Sequence, residues 1–208
     1  WVGEGEIAPG AIKVDASGRW ITPGLIDVHS HLGVYPSPSV AAHNDGNEAT
    51  SPVTAEVWAE HSVWPQDPGF SRALAGGVTA MQILPGSANL FGGRGVTLKN
   101  VPSISYQGMK FPDAPHGLKM ACGENPKRVY GGRTQAPSTR MGNVAAYRSA
   151  WIRAQRYQAD WDRYNKAIKD AAVAAEGDNS GASVASALLT NTPPRRNLEL
   201  DTLAGVLR

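Results

Sequence analysis

"ITPGLIDVHSHLG", residues 21–33, is the stretch on which the fold turns. A Pro-Gly pair opens it, an apolar run follows, and two of the chain's five histidines, His29 and His31, stand near its end. Side chains alternate between the two faces of a strand, so residues two apart share a face with Cα atoms about 6.5–7 Å from one another. The spacing therefore aims two imidazoles at one point, turns Ser30 to the opposite face and leaves Asp27 on the histidines' face one step earlier. Neutral imidazole suits Zn²⁺ and similar divalent ions, and a nearby carboxylate can orient such a ring through its other nitrogen. The mostly apolar composition of "GLIDVHSHL" predicts a strand buried on both faces, as in a parallel sheet.

Working outward, "AIKVDA" and "RWITP" flank Ser17-Gly18, a two-residue hairpin signal. "WVGEG" at the start reads as the end of a strand entering a turn. On the other side, residues 35–69 are rich in Pro, Ser, Asn and Asp, which predicts a long loop with a short helix near "VTAEVWAEHSV". "PGFSRALAGG" predicts a helix closed by Gly76-Gly77, and "VTAMQILPG" the next strand. Strand, helix, strand is the pattern of a parallel α/β unit. "SANLFGGRGVTLKN" is a glycine-rich turn leading into extended chain, and "GLKMACGEN" a further strand ending in polar residues. From Asn143 to Glu176, an apolar stripe of Ala146, Trp151, Ala154, Tyr157, Trp161, Tyr164 and Ile168 predicts a long amphipathic helix. Gly177–Gly181 should break it, and "NTPPRRN" links to a final helix.

The net charge of +2 offers no case for binding nucleic acid or an acidic membrane surface. No run of eighteen apolar residues predicts a membrane span. The single cysteine, Cys122, excludes an internal disulfide and sits in a strand candidate, where packing is the expected role. No targeting segment is legible in these residues, which leaves the compartment open between cytoplasmic and periplasmic. The abrupt ends at Trp1 and Arg208 read as those of a piece of a longer product, or of one chain of a processed protein.

A Pro-Gly entry, an apolar parallel-type strand and His-x-His at its C-terminal end describe the first strand of a metal-dependent (β/α)₈ barrel, whose active site lies at the C-terminal ends of the strands. "GRWITPGLIDVHSHLG" resembles the entry motif of the amidohydrolase superfamily. "GVTAMQILPGSANLFGGRGVTLK" and "CGENPKR" resemble its imidazolonepropionase-related branch, and the similarity runs through the whole chain.

The resemblance implies hydrolysis of C–N bonds (amide, cyclic amide or peptide-like) by a metal-activated water, with one or two divalent ions, Zn²⁺ first among them. It implies that His29 and His31 are metal ligands. It further implies a bridging carboxylate from a later strand, either a glutamate or a carbamylated lysine. Glu124, at the end of a candidate strand, is the first choice and Lys119 the second. Two further histidine ligands and a proton-transferring aspartate have no counterpart, because no histidine follows residue 124. His43, in the long first loop, is a candidate substrate contact. So are Asn89 and Arg94 in the glycine-rich turn, and Arg128, whose guanidinium suits a substrate carboxylate. His61 is expected to be packed and His116 solvated.

The expected fold class is α/β. Residues 1–20 would be part of a small flanking β-sandwich domain, and residues 21–208 the first strands of a partial (β/α)₈ (TIM) barrel. Such a barrel takes about 250 residues, so a second chain or a C-terminal remainder would complete it, and an oligomer is expected. Two rival functions stand beside the hydrolase. One is a non-catalytic half-barrel serving binding or assembly. The other is a lactonase or aminohydrolase of the same architecture.

Overall fold

The structure, a computed structural model, describes residues 7–178 and 191–208. The strand expected within residues 1–5 lies outside them. The chain is mixed α/β and is organised around two small sheets.

The first sheet is built from the histidine-bearing strand. β1 (Leu25–Ser30) pairs in parallel with β2 (Val78–Ile83), and β2 pairs antiparallel with β4 (Val96–Lys99), in the order β1-β2-β4. Between β1 and β2 the chain passes through the long loop, with 3₁₀ turns at Ala41–His43 and Ala59–Ser62, and then through α1 (Pro68–Ala75). Asp67 caps α1 by accepting from the Gly69 amide at 2.8 Å, with Pro68 at the first helical position. The other oxygen of Asp67 accepts from the Gly33 amide at 2.8 Å, which ties the loop following His31 to the helix. Gly33 has φ +79°, and a Cβ there would press on Val63 at 3.0 Å, so both conformation and space call for glycine. At its other end α1 stops at Gly76, and Gly77 takes φ +90° before β2 begins. The core here holds Val34, Val63, Phe70, Met81, Ile83, Val96, Leu98 and Met109.

The second sheet joins β3 (Phe91–Arg94) antiparallel to β5 (Leu118–Met120). It packs with α3 (Arg140–Asp178) and α4 (Leu198–Val206) around Ala55, Leu90, Phe91, Ala150, Ala154 and Leu203. α2 (Glu124–Gly131) follows β5 and buries Tyr130. Among the described residues no helix is long and apolar enough to cross a membrane.

Four expectations need correction. Among the described residues β1 is an edge strand, not a strand buried on both faces: it pairs there only with β2, and Ile26 and Val28 are 69% and 70% exposed. Residues 7–20 form no paired strand. Ser17-Gly18 does turn the chain, with the Arg19 amide donating to the Ala16 carbonyl at 3.0 Å, but the flanking segments extend into solvent. β4 and β5 run antiparallel to their neighbours, so among the described residues only β1-α1-β2 is a parallel unit. α3 runs through Gly177 to Asp178, and the rest of the expected break, residues 179–181, lies outside the described residues.

Candidate metal centre

The C-terminal ends of β1 and β2 position the histidine pair. The β1–β2 ladder continues past β2 with the Leu84 amide donating to the Ser30 carbonyl at 2.9 Å. That brings the Leu84 carbonyl within 2.8 Å of His31 Nδ1. A carbonyl only accepts, so Nδ1 carries the proton and His31 Nε2 presents a lone pair. The rings of His29 and His31 lie together with centroids 5.2 Å apart and planes at 83°. Tyr35 sets its ring edge-on to His31 at 5.6 Å. Its hydroxyl takes a hydrogen bond from the Asn47 amide, and burial raises its pKa.

Asp27 does not orient an imidazole. Its Oδ1 accepts from the backbone amide of His29 at 3.0 Å, a local turn contact. The backbone carbonyl of Leu84 holds His31 instead, a partner that residue types alone do not reveal.

His29 Nε2 faces Lys119 Nζ at 3.2 Å. Lys119 reaches it from β5, where it sits opposite Gly93. Gly93 has φ +106°, and a Cβ there would come within 2.5 Å of the Val57 carbonyl, so the glycine-rich segment is required for β3 to pass beneath. Burial lowers the Lys119 pKa, favouring the uncharged amine.

Glu124, the first choice for the bridging carboxylate, stands elsewhere. It occupies the first turn of α2 with its side chain 65% exposed, 3.5 Å from Lys127. The chain turns into the helix directly after Gly123, and the acid follows that turn outward. Among the described residues, no group of three or more His, Cys, Asp or Glu side chains is placed to hold a metal ion. The groups that gather here are two imidazoles and one amine, with His29 touching both His31 and Lys119.

Beside His31 opens a cleft of about 250 Å³ walled by Tyr35, Asn47, Gly86, Asn125 and Arg128. Arg128 is thus brought to the histidines' cleft. The other expected substrate contacts are not. His43 packs its ring against Trp64 at 4.4 Å. Asn89 is buried and saturated: its amide donates to the Glu48 carbonyl and Thr54 Oγ1, and its carbonyl faces the Tyr130 hydroxyl at 2.6 Å. Arg94 lies over the Trp58 ring at 5.4 Å and lines a different cavity. His61 is exposed rather than packed, with Tyr106 Oη at 3.3 Å. His116 is half-buried rather than solvated, with Nδ1 2.8 Å from the Gly95 carbonyl. Cys122 is exposed, lying just beyond β5.

No family model matches the chain. It is 42% identical over 168 residues to the amidohydrolase tasK of Hapsidospora irregularis, covering 75% of this chain and 17% of that protein. It is 58% identical over 40 residues to an imidazolonepropionase of Mesorhizobium japonicum, covering 19% of this chain and 8% of that protein. Its structure resembles that of an amidohydrolase from Thermotoga maritima MSB8 with a TM-score of 0.81 and 39% identity, over 99% of this chain and 48% of that one. The chain therefore spans a minor part of its curated relatives and about half of that solved chain. A histidine pair at the ends of paired parallel strands, joined to relatives and a solved structure of one kind, places this chain in the amidohydrolase superfamily.

Proposed function

We propose that this chain supplies part of the metal centre of a hydrolase that cleaves C–N bonds in an amide, cyclic amide or peptide-like substrate. The observation that carries this reading is that His29 lies against both His31 and Lys119. His31 Nε2 and His29 Nε2 would be the first two ligands. Lys119 replaces Glu124 as the choice for the bridging group. As its uncharged amine it can add carbon dioxide, forming one N–C bond, releasing one proton and becoming a carbamate that offers two oxygens. Burial favours the uncharged form that this addition needs.

A divalent ion, Zn²⁺ by the chemistry of the imidazoles, would supply an acidified water and a polarised carbonyl. The chain's own residues do the rest. The Leu84 carbonyl keeps His31 in the tautomer with a free Nε2. Tyr35, Asn47 and Arg128 wall the cleft beside it, and the Arg128 guanidinium would receive a substrate carboxylate. The proton-transferring aspartate and the remaining ligands belong to sequence outside this chain. The β1-α1-β2 unit and the 48% coverage of a solved amidohydrolase support residues 21–208 as part of a (β/α)₈ barrel completed elsewhere. Residues 1–20 would then belong to a flanking β-domain, and further polypeptide or another subunit would cover β1.

Metal analysis of the purified protein carrying this chain tests the reading. A stoichiometric divalent metal is expected, lost in His29→Asn and in His31→Asn. Carbon-13 NMR after ¹³CO₂ labelling should show a carbamate that Lys119→Met removes. Absence of stoichiometric zinc, manganese or iron would overturn the enzyme reading. It would favour a non-catalytic binding or assembly chain, a reading supported by the lack of a third His, Cys, Asp or Glu placed to hold a metal with the pair among the described residues. A panel of N-acyl amino acids, dipeptides, cyclic amides, lactones and aminated heterocycles separates an amidase from a lactonase or aminohydrolase.

A further inference from the structure

A cavity of about 270 Å³ lies between β3, the segment around Trp58 and the start of α4, apart from the cleft beside His31. Glu56, Trp58, Arg94 and Leu198 are in its wall. Glu56, Trp58 and Leu198 also wall a second cavity of about 560 Å³. The charges around the first are unevenly satisfied. Arg196 holds Asp201 through two nitrogens at 2.8 and 3.0 Å, and Arg153 stands 2.9 Å from Glu199. Arg94, stacked on Trp58, and Glu56 have no ion-pair partner among the described residues. Arg94 Nη2 makes one long bond to the Thr202 carbonyl at 3.4 Å. Arg94 Nε and Glu56 Oε2 are both shielded from solvent and have no hydrogen-bond partner among the described residues. Nor do the two side chains form an ion pair with each other, although they share one cavity.

A buried charged atom left unpaired costs free energy that a ligand recovers on binding. A ligand with one charge would satisfy one of the two groups and leave the other as it was. A ligand with an ammonium and a carboxylate satisfies both, and Trp58 and Leu198 in the same wall suit an alkyl chain. We propose that this cavity binds a small amino-acid zwitterion, the ammonium on Glu56 and the carboxylate on Arg94. The site needs no metal at the histidine pair, so it stands or falls separately from the proposed hydrolysis.

Isothermal titration calorimetry of the purified protein with leucine, N-acetyl-leucine and leucinamide tests it. The titrations use chelator-treated, metal-free protein, because N-acetyl-leucine and leucinamide carry amide C–N bonds of the kind the proposed hydrolase cleaves. Leucine should bind saturably, and each blocked analogue about tenfold or more weakly, the loss expected of one charge-assisted hydrogen bond. Glu56→Gln should weaken leucine and erase its advantage over N-acetyl-leucine. Arg94→Gln should do the same against leucinamide. No saturable leucine binding, or analogues that bind as well as leucine, would overturn the proposal and point instead to a water-bridged Glu56–Arg94 pair. The analogue comparison on the unmodified protein decides the matter even if a variant fails to fold.

Discussion

Asn89 shows how a polar residue in a glycine-rich turn can look like a ligand contact and be something else. Its amide nitrogen reaches the Glu48 carbonyl at 2.6 Å and Thr54 Oγ1 at 2.5 Å. The Tyr130 hydroxyl lies 2.6 Å from both Asn89 Oδ1 and the Ser51 carbonyl, one proton shared between two acceptors. Removing this side chain takes the donor from the Glu48 carbonyl, while the Tyr130 hydroxyl keeps the Ser51 carbonyl and Thr54 Oγ1 keeps the Phe91 carbonyl; one unsatisfied buried group costs about 1–3 kcal/mol. Asn89→Ala should therefore lower unfolding stability by about 1–3 kcal/mol, seen as a drop in the urea midpoint. An unchanged midpoint would return Asn89 to the list of free ligand contacts. The sequence around Asn89 predicts a turn and a polar residue, and both are present. It cannot display Tyr130, 41 residues away, because that partner arrives only when α2 packs. Lys119 and His29 teach the same lesson. They are 90 residues apart, and strand-end position alone favoured Glu124 until the register of β5 set the lysine against the imidazole.

At the scale of elements, periodicity is what the sequence displays best. The stripe along α3 is real: Ala154 and Tyr157 are buried and Trp151, Trp161, Tyr164 and Ile168 half-buried, joined by Ala150, which the stripe omitted. Small residues at 150 and 154 let Leu203 of α4 approach closely. What periodicity cannot show is the charge partnership between helices. Tyr157 donates to Asp201 at 2.6 Å, and Glu199 meets Arg153. Burial is the main cause that holds the Glu199 carboxyl above its ordinary value. Arg153 pulls it down and Glu56 pushes it up. A carboxyl raised in the folded state contributes stability that is full at acid pH and lost as pH rises through the folded value. Between about pH 4 and neutrality, wild type should thus lose urea resistance relative to Glu199→Gln. A wild type that instead gains on the variant over that range would mean that the Arg153 pair outweighs burial.

For the whole molecule the informative feature is the unpaired side of β1. The same apolar run that predicts a strand covered on both faces supplies Leu25, Ile26 and Val28, all exposed, and Trp20 just before it is 96% exposed. Hydrophobic patterning reports what a strand is built to meet, whereas the fold of this chain alone reports what it meets here, and the two differ at this edge. A long apolar edge with free backbone donors and acceptors is a template for pairing with another chain. Exposed apolar side chains grouped on one surface add to that tendency. The 208-residue chain expressed by itself should therefore self-associate with increasing concentration, measured by light scattering across a dilution series. Placing lysines at the edge, as Ile26→Lys with Val28→Lys, charges the strand while leaving both histidines in place, and should shift the chain toward monomer. If the doubly substituted chain associates as strongly as the original, β1 is not the contact. The exposed "AIKVDA" and "RWITP" segments, with Ile12, Val14 and Trp20 in solvent, would then be the next surface to charge.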